Sequence, residues 1–253
     1  MSSISVVIIT LNEELTIARC INSVIPIADE IVVVDSFSTD KTKEICLDLM
    51  VQFFEHPFKD YITQKNYAIT LAKSKFILSL DADEALDQTL CQSILKAKEK
   101  SECDGYFMNR MNRYCDKWIR HGAWYPDKKL RLFRKDKGAW EGLYIHEKVQ
   151  LTDDAKIGYL RGHILHYTYD SIQGHISQFN NFTSLSAQKL FAENRKIGVI
   201  GIFFKPLYNF IQGFFFKLGF LDGYYGVVIC LINSFATFSK YIKLRQLYKT
   251  GKL

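Results

Sequence analysis

Residues 4–13, ISVVIITLNE, join a nearly unbroken β-branched and apolar run, Ile4 to Thr10, to a polar turn that begins at Leu11. Six such residues in a run of seven, interrupted only by Ser5, fit a strand covered on both faces rather than one half-exposed to water. The pattern returns downstream. Residues 31–34 (IVVV) end at Asp35, residues 51–54 make a shorter run, and residues 76–80 (FILSL) end at Asp81-Ala82-Asp83. Helical patterns lie between them. The first carries Leu15, Ile17, Ala18, Ile21 and Val24, with Asn12 able to cap it and Pro26 to stop it. The second carries Ile45 and Leu49 behind Ser38 or Thr39 as cap, and the third covers residues 61–73. Strand and helix in this rhythm imply an α/β fold, a mainly parallel sheet flanked by helices and joined by right-handed crossovers. In such sheets ligands bind beyond the carboxyl ends of the strands, so the polar residues just after each strand carry the information.

The chain is 253 residues long, 48% apolar, with a net charge of +6. That length suits one large domain or a domain with an appendage, and the apolar fraction excludes a disordered chain. The charge is concentrated: Lys240, Lys243, Arg245, Lys249 and Lys252 stand in the last fourteen residues with no acid among them. A nucleic-acid binder would spread basic residues over one face of the body, whereas a basic end suits an anionic membrane surface. Six scattered cysteines form no C-x-x-C, and no secretory leader is read at the N-terminus, so a reducing cytosol is expected.

Beyond residue 87 the patterns predict a helix to about residue 98, strands over 105–111 and 158–165, and a helix from Ser171 to about Asn194. Residues 118–140 are rich in Trp and Tyr. From 197 to 239 the only charges are Lys205, Lys217 and Asp222. The longest uncharged stretch there, 223–239, is 17 residues, short of the roughly 20 a spanning helix needs. It reads as part of an apolar helical C-terminal appendage, a pair of interfacial or re-entrant helices ahead of the alternatives of a true span or a buried subdomain. The expected division is one domain over 1–170, in two parts to about 100 and over 101–170, followed by a membrane-associated helical region over 171–253.

Asp81 and Asp83, one residue apart where the chain leaves the sheet, can both enter one cleft. Hard oxygen ligands on such a turn suit Mg²⁺ or Mn²⁺, which take the rest of their shell from water and a diphosphate. The alternative is an acidic loop with Asp87 as a helix cap. The turns Thr10-Leu11-Asn12-Glu13 and Asp35 to Asp40 would lie side by side and form a slot for a flat polar base, with Asp35 accepting from a base N–H or a ribose hydroxyl. No G-x-G-x-x-G follows the first strand and no G-x-x-x-x-G-K-[ST] occurs, so the phosphate cradles of dinucleotide and P-loop folds are missing. His163 and His166, at i and i+3, do not share a strand face as i and i+2 would. His166 alone can complete a metal shell or remain structural. Trp118, Trp124 and Trp140 either stack on sugar rings or pack in the core. The basic run 128–137 (KKLRLFRKDK) is either a solvated face or a contact for the phosphates of an acidic glycolipid.

ISVVIITLNEE, EIVVVDSFSTDKT, QKNYAI and FILSLDADE, in this order and spacing, resemble the donor half of a family 2 glycosyltransferase with the GT-A fold. WYPDKKLRLFRK, GAWEGLYIHEKV, LHYTY and LDGYYG are similar to the subgroup that adds glucose or a related hexose to lipopolysaccharide core heptose. The resemblance implies that Thr10, Leu11, Asn12, Glu13 and Asp35 hold the uracil and ribose of a UDP-sugar. Lys65, where the family usually has Arg, would face the nucleotide or its phosphates. Asp81 would approach the ribose or donor sugar, and Asp83 would bind the metal, with Asp81 and His166 as further ligand candidates. It also implies inversion at the anomeric carbon. A divalent cation would stabilise charge developing on departing UDP, while a base takes the acceptor proton from the opposite face. Glu147 is the foremost candidate for that base, followed by Asp127 and Glu141; His146 would be a neighbour of the base or an acceptor contact. The expected partners are a UDP-sugar, a saccharide or glycolipid acceptor and the inner face of the cytoplasmic membrane, with no nucleic acid. The competing readings are a non-catalytic nucleotide-sugar-binding or membrane-scaffold protein, and a sugar nucleotidyltransferase, whose glycine-rich first loop is absent.

Overall fold

A computed structural model describes residues 2–100, 102–142 and 147–252. The chain forms two compact units. The first holds the residues up to Arg110 together with Asp127–His166, and the second holds Met111–Pro126 with everything from Tyr167 on.

In the first unit, β1 (Ile4–Thr10) leads through α1 (Ile17–Val24) to β2 (Glu30–Asp35), α2 (Thr42–Asp48) and β3 (Gln52–Glu55). Then come α3 (Tyr61–Leu71), β4 (Phe76–Asp81), β5 (Glu84–Leu86), α4 (Gln88–Lys100) and β6 (Gly105–Tyr114). After β7 (Lys117–Trp118), which belongs to the second unit, follow β8 (Asp127–Arg134), β9 (Gly138–Glu141), β10 (Lys148–Leu151) and β11 (Ile157–Tyr169). The main sheet runs β3-β2-β1-β4-β8-β6-β11-β5. Its first four strands are parallel, as the alternating pattern predicts, while β8 joins β4 antiparallel and β9 and β10 form a separate hairpin. All seven residues of β1 are buried. Ile4, Val6 and Ile8 pack with Ile17, Ile21, Leu78 and Leu90 on one face, and Val7 and Ile9 pack with Val34, Ile69 and Ile77 on the other. The twofold alternation of a strand produces this division.

Two caps differ from expectation. Asn12 does not cap α1: its φ is 55°, the helix begins at Ile17, and its Oδ1 instead accepts from Thr39 N at 2.8 Å. Neither Ser38 nor Thr39 caps α2; Asp40 does that work, its Oδ1 accepting from Thr42 N at 3.0 Å. The turns after β1 and β2 are therefore tied to each other, and the second also caps its own helix. Asp87 does cap α4, accepting from Leu90 N at 2.7 Å.

The second unit is built on α5 (Ile172–Ala192), α6 (Val199–Ile211) and α7 (Gly223–Thr250), with Ser171 capping α5 by accepting from Gly174 N at 3.0 Å. The LDGYYG segment has a structural explanation. Asp222 is buried and its Oδ2 accepts from Arg120 N at 3.0 Å and His121 N at 2.8 Å, which fastens the Trp118 segment to the start of α7. Gly226 must be glycine, because a Cβ there would stand 2.0 Å from Gly219 O. Residues 111–126 thus group with the C-terminal helices.

Candidate functional site

The register of the parallel strands assembles the site. Thr10 is paired with Asp35 across β1 and β2, and Ile9 with Asp81 across β1 and β4. Thr10, Asp35 and Asp81 therefore end three adjacent parallel strands at the same edge, where the fold places its ligands. The turns beyond are stitched together by side chains. Asn12 N donates to Ser38 Oγ at 2.8 Å, Glu13 N to Thr42 Oγ1 at 2.8 Å, and Glu14 N to Asp40 Oδ2 at 3.0 Å. Asp35 is buried and accepts from Ser38 N at 2.7 Å and from the Ser38 hydroxyl. Thr10 Oγ1 is buried without a hydrogen-bond partner among the described residues, whereas Leu11 and Phe37 are exposed. The result is a rigid slot with a polar floor and apolar edges.

Behind the slot runs a ladder of alternating charge. Glu147 Oε1 meets Lys65 Nζ at 2.8 Å, and Lys65 meets Asp81 Oδ1 at 3.0 Å. Arg131 Nη2 then bridges Asp81 Oδ2 and Glu84 Oε1, both at 3.2 Å. Arg110 continues it from Glu84 at 3.3 Å to Asp127 at 2.9 Å, where Lys129 closes it at 3.0 Å. Lys65, Glu84 and Arg131 are buried. Trp140 backs the cluster: the Lys65 ammonium lies 4.2 Å and the Arg131 guanidinium 4.8 Å from its ring centre, and its indole N–H donates to Ser79 Oγ at 3.2 Å. Burial alone would raise the pKa of Asp81, but Lys65 and Arg131 outweigh it and hold the carboxyl well below the usual carboxylate range. The same field acts on Tyr61, whose phenol is pushed up by burial and then by Glu147, Asp81 and Asp83.

Asp83 stands apart from the ladder, its Oδ2 3.1 Å from His166 Nε2. His163 faces a different acid, Asp87, at 3.1 Å, so the two histidines serve separate carboxylates. Gly162, at φ +101°, makes that approach possible, since a Cβ there would lie 2.2 Å from Leu90 N. Among the described residues no three His, Cys, Asp or Glu side chains form a ready metal cage. Both Asp81 oxygens are already committed to cations, whereas Asp83 meets an imidazole, that of His166. One carboxylate and one imidazole fit a cation that completes its shell with water and a diphosphate.

Of the three candidate bases, Glu147 lies in the ladder, Asp127 at its far end against Arg110 and Lys129, and Glu141 is exposed at the tip of β9, outside it. His146 lies outside the described residues. Trp140 and Trp124 are packing residues, the first under Lys65 and the second beside Tyr114. Sequence reasoning missed Arg110, Glu84 and Arg131. A signal for Arg131 was available: it sits between Leu130 and Leu132 and ahead of Phe133, in a strand apolar on both faces, so a charge there must be buried and paired.

This is a GT-A-type α/β fold with an acidic turn at the edge of its parallel strands. The family described as glycosyl transferase family 2 matches residues 5–165. An uncharacterized glycosyltransferase of Rickettsia typhi is 32% identical over 259 residues, covering 98% of this chain and 88% of its own. The lipopolysaccharide core biosynthesis glycosyltransferase LpsC of Rhizobium meliloti is 26% identical over 249 residues, covering 94% of this chain and 91% of its own. The crystal structure of TarS 1-349 from S. aureus superposes with a TM-score of 0.48 at 16% identity, covering 99% of this chain and 92% of the other. The chain belongs to glycosyltransferase family 2.

Proposed function

We propose that this protein is an inverting, metal-assisted hexosyltransferase that moves a hexose, glucose in the first instance, from a UDP-sugar to a saccharide or glycolipid acceptor in cell-envelope glycan synthesis, working at the inner face of the membrane. The observation that carries the reading is the alignment of Thr10, Asp35 and Asp81 at the ends of three neighbouring strands, with Lys65 and Glu147 behind them. The likeness to LpsC supports the envelope assignment.

In this reading the slot between the two stitched turns takes the uracil and ribose. Leu11 lies along the base, and Thr10 and Asp35 meet its polar edge. Lys65 faces the diphosphate, a point charge where an arginine would make a fork. Asp83 and His166 would hold Mg²⁺ or Mn²⁺, which when bound neutralises charge on the leaving diphosphate. Glu147, whose Oε2 is buried without a hydrogen-bond partner among the described residues, takes the proton from the acceptor hydroxyl.

The test is UDP binding by calorimetry with and without MnCl₂, for wild type and Asp83→Ala. Manganese should tighten UDP binding of the wild type at least about tenfold, equivalent to about 1.4 kcal/mol, and should do little for the variant. UDP release from UDP-glucose with an acceptor saccharide should fall with it. UDP affinity that ignores both manganese and the substitution removes the metal from the proposal. Binding of UDP with no transfer to any acceptor, unchanged by Glu147→Gln, would make the protein a non-catalytic nucleotide-sugar binder.

A further inference from the structure

The first unit contains a cavity of about 670 Å³, inside the range of about 300–1,000 Å³ typical of small-molecule sites. It is bounded by β6, β8 and the β9–β10 hairpin, and five members of the charge ladder line it, the acids Asp81 and Glu147 and the cations Arg110, Lys129 and Arg131. A molecule in it would lie against the proposed base, Glu147. Its wall includes the apolar side chains of Phe107, Leu130 and Val149, a surface suited to the C–H face of a sugar ring.

The polar lining is cationic and only partly satisfied from within. Arg110 and Lys129 are occupied by Asp127. Lys128 and Lys148 line the cavity, are exposed, and have no acidic partner among the described residues. Arg131 lines it too and is 4% exposed; its Nη2 bridges Asp81 and Glu84, but its Nε and Nη1 are buried without a hydrogen-bond partner among the described residues. Buried guanidinium donors left unpaired are expensive, and native proteins leave few of them. Two solvated ammonium groups and two unsatisfied guanidinium nitrogens around one cavity match the oxygens of a phosphate or a carboxylate.

We propose that this cavity takes an acidic acceptor: a saccharide carrying a phosphate or carboxylate that Lys128, Lys148 and Arg131 bind while its hydroxyl faces Glu147. The inference rests on the transferase reading above and adds the chemical class of its acceptor. The alternative source of the same anionic oxygens is the donor's own diphosphate, and the two are separable because only the acceptor must bind alongside UDP.

The experiment uses the full chain in calorimetry, with mannose 6-phosphate and mannose as probes, each titrated into protein saturated with UDP. Mannose 6-phosphate should bind at least about tenfold more tightly than mannose and lose that advantage as salt is raised. Lys128→Ala/Lys148→Ala, which alters only exposed side chains, should cut the preference at least fivefold and leave UDP affinity unchanged. Equal binding of the two probes, no binding of the phosphorylated one, or a preference that survives the double substitution overturns the proposal. Displacement of mannose 6-phosphate by UDP also overturns it, and assigns the cations to the donor. Loss of UDP binding in the wild type would instead mark failure of the transferase reading itself.

Discussion

Lys65 concentrates the physics of the site in one side chain. It is buried on α3 at 2% exposure, held by Asp81 and Glu147 on one side and the Trp140 ring on the other. Replacing it by Met keeps the volume and the packing on the indole but leaves two carboxylates facing each other with Arg131 alone to balance them. Breaking a buried ion pair by removing one partner typically destabilises by about 3–5 kcal/mol. Lys65→Met should therefore lose roughly that much in urea denaturation at pH 7, while Lys65→Arg, which keeps the charge, should lose less. The pH dependence has a definite sign. Despite burial, Lys65 and Arg131 hold the Asp81 carboxyl below its ordinary range, so its contribution to stability is complete above about pH 4 and is lost as acid protonates it. The gap between wild type and Lys65→Met should narrow as the pH is lowered from 5 towards 3. A gap under 1 kcal/mol, or one that is flat in pH, would show that the ladder does not carry this energy.

At the scale of elements, α5 is fixed by an aromatic cage around His175. The ring is 3% exposed, stacks on Tyr169 at 4.5 Å, meets Trp124 edge-on at 5.3 Å and has its Nδ1 3.1 Å from the Tyr114 hydroxyl. Burial pushes its pKa down to about 4. The neutral ring is the one the fold accepts, so stability is full above about pH 6.5, where the unfolded chain is also neutral, and falls as the pH drops towards 4. Thermal denaturation followed by tryptophan fluorescence should show a fall of roughly 2 kcal/mol between pH 7 and pH 4.5, and His175→Gln should flatten that slope. A wild-type melting temperature constant over the interval contradicts the assignment. Elements of this kind were the hardest to read from the chain. The parallel strands declare themselves locally, because burial on both faces forces nearly unbroken β-branched runs such as residues 4–10 and 31–34. The caps were misplaced because Asn12 and Asp40 bond across 26 or 27 residues to a neighbouring turn, or back to their own, and composition does not say which. Asp81 and Asp83 could be seen as an acidic turn, but their counter-ions lie up to 83 residues away, Arg131 in a basic run that reads as a solvated face and His166 on β11. Its apolar neighbours Leu130, Leu132 and Phe133 hint that Arg131 is buried, but only pairing between distant strands shows which acids it meets.

Across the whole molecule, the second unit differs from the first in what it leaves uncovered. The segments Val199–Phe216 and Gly219–Thr250 are long and apolar enough to cross a membrane by length and composition, yet only 17% and 22% of their most apolar windows are buried. On α6, Ile200, Phe203, Phe204 and Leu207 are 84%, 63%, 62% and 55% exposed, and their i, i+3, i+4, i+7 spacing puts them on one stripe. Ile202 and Pro206 are buried on the other side of that helix. With the helical turns that follow it, the segment Val199–Phe216 is 18 residues and reaches about 27 Å at 1.5 Å per residue, close to a hydrocarbon core of about 30 Å. A helix with an outward apolar stripe, followed in the chain by the basic run from Lys240, is suited to contact with an anionic membrane. Flotation with phosphatidylglycerol-containing vesicles should carry the wild type upward, and phosphatidylcholine vesicles should do so less well. Ile200→Gln, Phe203→Gln, Phe204→Gln and Leu207→Gln combined alter exposed side chains and should leave the fold intact. If each side chain contributes about 1 kcal/mol or more on burial in the acyl boundary, the combined variant should lose at least a hundredfold in vesicle partition. UDP binding, which uses the other unit, should not change. A quadruple variant that floats as the wild type does would place the membrane contact elsewhere, and a wild type that stays with the soluble fraction would mean that this stripe meets a protein.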